Sequence, residues 1–471
     1  MKQLRMRWYV FLALLLLQSA SCLRAQDAPK PYEGPWPPAL PGAVNGTVTI
    51  TTDDFIKVPA EVQALIAKEG AMKFTVAGKA PTVDLAFHGD LPNAALNGTG
   101  WSAWGDILVA SDGKVYSATG DHGDDKGGKS NSFIYVWDPA TKGLKQIVDL
   151  NTLVKREPGD PTWAKVHARI LEGKDKKIYF TGTLNDGGRS FEYKWTERVP
   201  GGQIFQYDPA TGKTQIIGHF PGEVMATTLM DQERNIFYGH GEGKTGPKDV
   251  ALTAFDLTQG KIIYQSPHDA VVADRNMMLA RNGMIYFNGK DGIWKYDPNT
   301  KTIAPTKSTF PGGSSMRSST HESKQGWIYG TTYGTAAGPA QFFRYAPAQD
   351  KLEMLGPDFG LGEYTTVTDM SPDERFVYYL PGAHGGAMDI GTPVVQYNIA
   401  TGQFKVLAFL REGIEKATGY TPAGTYGMKV SADGSTLYVD FNGQPKDGVK
   451  GHGKAFGLTA FAAIHIPAEE R

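Results

Sequence analysis

The sequence predicts an all-β chain, a seven-bladed β-propeller of four-stranded antiparallel blades, and three observations carry that expectation. A short apolar strand with an aromatic anchor recurs at Tyr116, Tyr179, Phe237, Tyr286, Tyr329, Tyr378 and Tyr438, 43 to 63 residues apart. A second phrase, an aromatic followed by an Asp-Pro or Asn turn, alternates with it: VWDPAT (136–141), QYDPATG (206–212), AFDLTQG (254–260), KYDPNT (295–300), RYAPAQ (344–349) and QYNIATG (396–402). The 57 Gly and 29 Pro suit many tight turns rather than long helices. A repeat of this length with two turn signals is one blade, and seven repeats close a ring.

The segments read in order as follows. Residues 1–25 have the layout of a secretory signal peptide: basic MKQLRMR, an apolar run over 8–17, then small polar residues. The apolar run is short for a membrane span. Cys22, the sole cysteine, excludes a disulfide framework and a cysteine metal cluster in the mature domain, and its position also suits a lipid anchor. Residues 26–45 hold six prolines and read as an extended tether. Residues 46–100 form an N-terminal extension whose VTITT is positioned to supply a closing strand that hides a sheet edge. The ring spans 101–467, with blades at 101–150, 163–220, 224–266, 271–307, 314–356, 364–409 and 424–467.

Loop lengths separate the two faces. The first-to-second turns are short (EGKDKK, DQERN, SPDER, SADGS), as are the DPATG turns. The second-to-third segments at 120–131, 182–202, 240–250, 331–341 and 381–392 are long and variable. Binding residues sit on variable loops carried by a rigid frame, so the long-loop face is the working face. With 48 basic and 49 acidic residues overall, and Lys2, Arg5, Arg7 and Arg24 inside the signal, the mature chain is mildly acidic. That argues against nucleic acid but leaves room for an anionic carbohydrate in a local basic pocket. The chain is expected to be exported, periplasmic or extracellular, and monomeric.

On that face, His122 and His167 are candidate proton-transfer groups, since imidazole titrates near neutrality. Tyr193, in the long loop with Trp195, is a third catalytic candidate. Arg169, Arg275 and Arg317 suit bidentate recognition of a carboxylate or sulfate, with Trp195 and Tyr426 as sugar-facing aromatics. His167, Asp274 and Arg317 stand at equivalent positions when blades two, four and five are aligned on their anchors. His384 and Asp274 are candidate ligands for a divalent cation (Zn, Ca or Mn). There is no HExxH, GxSxG, EF-hand loop or CxxCH.

The ring, the YDPATG-type turns and the working-face histidines resemble exported bacterial seven-bladed propellers whose relatives include lyases acting on ulvan or oligogalacturonate and the virginiamycin B lyase type. The resemblance covers roughly 101–467 and implies β-elimination cleavage of a uronate-containing polysaccharide. It implies the His, Tyr and Arg roles above for His122, His167, Tyr193 and Arg317. Two alternatives stand beside it: a non-catalytic glycan- or protein-binding propeller, and a metal-dependent lactonase or hydrolase using Asp274, Asn276 and Asp369.

Overall fold

A computed structural model describes residues 39–68, 70–89, 101–121, 130–157, 160, 162–185, 202–221, 224–242, 251–267, 276–336, 338–359, 364–446 and 458–471. They form a seven-bladed propeller. Blade three shows the plain pattern: Val224–Asp231, Ile236–Glu242, Ala251–Asp256 and Lys261–Gln265 pair in sequence as a four-stranded antiparallel sheet. The anchors are interior residues: Tyr116, Tyr179, Phe237, Tyr286, Tyr329 and Tyr378 are all at most 3% exposed, and Tyr438 is 7% exposed. The turns form because an Asp or Asn side chain caps the backbone two residues on: Asp138 accepts from the Ala140 N–H, Asp208 from Ala210, Asp297 from Asn299 and Asn398 from Ala400, all at 2.9–3.0 Å.

Two blades gain strands from the N-terminal extension. In blade seven, Tyr420–Val430, Thr436–Pro445 and Leu458–His465 are followed in space by Thr82–Phe87 and then Thr47–Thr51, so both ends of the chain build one sheet. In blade six, Phe74–Val76 adds a parallel fifth strand to Phe404–Phe409. It is held there by side-chain packing: Phe74 stacks on Phe359 with ring centroids 5.3 Å apart and leans on Phe409 at 6.4 Å. Between these strands, helix α1 (Ala60–Ile66) buries Val62, and helix α2 (Leu410–Thr418) buries Leu410 and Ile414 in the core that Phe55 shares. No helix among the described residues is long and apolar enough to cross a membrane.

Neighbouring blades are clasped on the short-turn face by carboxylates that accept backbone N–H groups. Glu172 accepts from Ser111 at 3.1 Å, Glu322 from Arg281 at 2.7 Å, and Glu374 from Lys324 at 2.8 Å. At the seam between blades seven and one lies a buried His88–Asp440 pair, with Nε2 and Oδ1 3.6 Å apart and both side chains 0% exposed. Burial drives both groups towards neutrality, pulling the His88 imidazole down to about 3 and pushing the Asp440 carboxyl well above its ordinary range.

Leu85, fully buried and paired with Val48 and Ala462, is expected to cost about 2–5 kcal/mol when changed to Ala, read from denaturant unfolding. The buried pair predicts a pH signature. Between the ordinary values 3.8 and 6.5 the folded pair and the unfolded chain each carry one proton, so the pair contributes no slope. In Asp440→Asn the neutral folded imidazole binds fewer protons than the unfolded one, so stability drops by about 1.4 kcal/mol per unit as pH falls below 6.5. In His88→Gln the protonated folded carboxyl reverses the sign, and stability falls as pH rises above 3.8. Unfolding at pH 4.5, 5.5 and 6.5, each about one unit apart, reads both slopes.

Candidate functional site

The innermost strands run from the long-loop face into the channel, and side chains two residues apart point to the same side. Twelve residues before the anchors of blades one, two, five, six and seven stand Trp104, His167, Arg317, Thr366 and Tyr426. All five line a single recess of about 30 Å³. Two residues further along each inner strand stand Asp106, Arg169, Thr227, Asn276 and Ser319 in blades one to five, and the first three line the same recess. The channel therefore carries two stacked rings of side chains, an aromatic one above a polar one.

The upper ring is centred on Trp104, 7% exposed. His167 lies nearly parallel to its indole at 5.9 Å, Tyr426 packs at 5.0 Å, His384 meets it edge-on at 5.9 Å, and the Lys165 ammonium sits 4.5 Å from the ring centre. Tyr364 Oη lies 2.6 Å from His384 Nε2 and 3.2 Å from Tyr426 Oη, giving a hydrogen-bonded chain that runs from imidazole through the Tyr364 phenol to the Tyr426 phenol. The Arg317 guanidinium stands 5.0 Å from the Tyr364 ring and 5.8 Å from those of Tyr333 and Tyr426, and donates to Thr366 O at 3.0 Å.

Local backbone irregularities aim these groups. Arg317 and Tyr426 each occupy the extra position of a β-bulge in their inner strand: the register skips from Met316 to Ser318 and from Thr425 to Gly427. His384 sits at φ +55°, a left-handed conformation that costs a non-glycine residue about 1 kcal/mol or more. It is held by a tight turn that Gly382 makes feasible, since a Cβ there would stand 2.4 Å from the Ala387 nitrogen.

The lower ring is polar and partly ion-paired. Lys429 Nζ lies 2.7 Å from Asp106 Oδ2, and Asp106 Oδ1 accepts from the Met428 N–H at 3.2 Å. Arg169 hydrogen-bonds Asn276, whose amide donates to Ser319 Oγ at 2.9 Å. Asp369 accepts the Val430 N–H at 2.9 Å. Burial opposes the charge on Lys429, but Asp106 and Asp369 outweigh it and hold the ammonium above its ordinary pKa. Burial pulls Arg169 below its ordinary value; Asp106 and Asp369 resist this and Arg317 adds to it.

Of the residues singled out from the sequence, His167, Arg169, Arg317, Tyr426 and His384 are brought together at one channel mouth. His122, Tyr193, Trp195, Asp274 and Arg275 lie outside the described residues. His384, considered as a metal ligand, is engaged with Tyr364, and among the described residues no group of three or more His, Cys, Asp or Glu side chains gathers to hold a metal ion. Trp104, Asp106, Lys165 and Lys429 were not singled out. The offset of twelve that equates blades two, four and five finds Trp104 when extended to blade one. Two larger recesses, about 400 and 420 Å³, flank Met72 and Phe74 on the outer side of the ring, away from this mouth.

No family model matches the chain, and no curated protein matches it. Solved structures do resemble it. A chain of a mitotic checkpoint complex aligns at 9% identity over 77% of this chain and 89% of its own length, with a TM-score of 0.48. The WD40 domain of Neurospora crassa Pan2 aligns at 12% identity over 78% of this chain and 96% of its own, with a TM-score of 0.45.

The Asp106–Lys429 pair gives a prediction within the site. Asp106→Asn leaves the Lys429 charge without its nearest counter-ion, and is expected to lower unfolding stability by about 1–3 kcal/mol, measured by denaturant titration. Lys429→Met in the same background should recover part of that loss, because both members of the pair are then gone.

Proposed function

We propose that this is an exported propeller whose long-loop mouth binds an anionic carbohydrate. One observation carries the reading: half-exposed Lys165, Tyr333, Tyr364 and His384, from blades two, five and six, surround the Trp104–Tyr426 pair on the face that bears the variable loops. An ammonium, phenols and an imidazole in that arrangement offer a charge to a carboxylate or sulfate and hydrogen bonds to sugar hydroxyls. Trp104 supports the rim rather than stacking on a ligand, because His167 and Lys165 pack against its ring and little of it is exposed.

A second reading, β-elimination from a uronate, is favoured by the 2.6 Å contact between Tyr364 Oη and His384 Nε2. A phenol and an imidazole so placed can pass a proton between them. In that chemistry a cation offsets the sugar carboxylate and one of the two groups takes the neighbouring carbon-bound proton. The electron pair forms the ring double bond, the glycosidic C–O bond breaks, and the other group protonates the departing oxygen.

Calorimetric titration against ulvan, pectin, alginate and glycosaminoglycans tests the binding reading. At least one polymer is expected to bind, more weakly at higher salt, with Lys165→Ala and Tyr364→Phe each weakening it about 5- to 10-fold. No binding across the panel would overturn it. Ultraviolet absorbance of an unsaturated uronate, followed on the polymers that bind, separates the readings. A signal lost in His384→Ala while binding persists favours elimination, and its absence leaves a binding module.

A further inference from the structure

Beneath the rim, the recess between the two rings has features that a saccharide at the mouth does not account for. Arg317 is 5% exposed, and its Nε is a buried donor with no hydrogen-bond partner. Thr227, 1% exposed and also lining the recess, likewise has an unpartnered Oγ1. Leaving such groups unsatisfied is destabilising, and more so for a charged one. Charge points the same way. Arg317 and Arg169 repel each other, while Asp106 and Asp369 attract Arg169 and Lys429. Asp106, which also lines the recess, has one oxygen on Lys429 and the other on the Met428 and Ile107 N–H groups. Among the described residues Arg317 has no carboxylate at ion-pair distance; it donates to the Thr366 carbonyl and faces three tyrosine rings.

We propose that the recess lined by Arg169, Arg317 and Thr227 binds one small monovalent inorganic anion of halide size. Such an ion screens the two guanidinium groups from each other and accepts hydrogen bonds from Arg317 Nε and the Thr227 hydroxyl. The volume of about 30 Å³ takes an ion of that size and excludes a sugar ring. The inference stands independently of whether the mouth binds carbohydrate.

Thermal unfolding of the full chain in sodium bromide against sodium gluconate, at fixed ionic strength, is the first test. A saturable rise of about 3 °C is expected in bromide. Arg317→Met should abolish the saturable part, and Thr227→Val should raise the half-saturating concentration several-fold. Anomalous scattering from a bromide-soaked crystal should place a peak in the recess. A recess with no bromide peak, or an unchanged bromide response in Arg317→Met, overturns the proposal. Should Arg317→Met fail to fold, the crystallographic peak and Thr227→Val decide the matter. Saccharide titrations run in gluconate keep the two sites separable, so either reading can fail alone.

Discussion

The pairing of Thr82–Phe87 with Leu458–His465 is the contact on which the rest depends. A propeller has no single core that would survive an open ring. Each blade packs on two neighbours, and seven sheets settle into a circle only when the last is tied to the first. Here the tie is a run of backbone hydrogen bonds made between opposite ends of the chain. The largest apolar cluster, from Ile50 and Phe55 through Leu85 to Phe441 and Ile464, lies around it. Glu470 adds a polar clasp by accepting the Gly78 N–H at 2.6 Å while paired to Lys405 at 2.7 Å. His88 and Asp440 lie in the same seam, so titratable groups are built into the place where the ring shuts.

Closure also fixes the channel. Once seven inner strands are held at constant spacing, equivalent positions meet at the axis, and whatever residues stand there must satisfy one another. The aromatic ring does so by stacking and by cation–π contact, and the polar ring by hydrogen bonds and the Asp106–Lys429 pair. The two bulges let the blades contribute large groups without pulling the strands out of register. Arg317 and Tyr426 reach the axis from positions that lie outside regular pairing.

Much of this architecture was legible because it is written locally. Strand, turn and anchor recur within each repeat, and the buried anchors and capped Asp turns obey rules that need only a few neighbouring residues. The mouth was legible in part. His167, Arg317 and Tyr426 stood out as polar or aromatic side chains on inner strands, whereas Trp104 reads as one more core aromatic beside Trp101, which does stack on Phe133 at 5.6 Å. The Tyr364–His384 contact depends on a left-handed turn twenty residues downstream, and no periodic pattern encodes it. The parallel strand at Phe74–Val76 is equally silent in the sequence, since three residues held by packing against blades five and six carry no repeat of their own.

The division of blade seven between the two ends of the chain has a consequence for how the molecule is made. During synthesis the paired strands Thr47–Thr51 and Thr82–Phe87 emerge before the first blade, while their partner strand Leu458–His465 emerges only after the first six blades. While the first six blades are made the early pair presents an unpaired edge, and those blades wait on a seventh that cannot yet exist. A sheet of such high sequence separation forms slowly and exposes sticky edges meanwhile. The ring is thus a late, all-or-none event, in which the first strands are held in reserve until the last ones arrive.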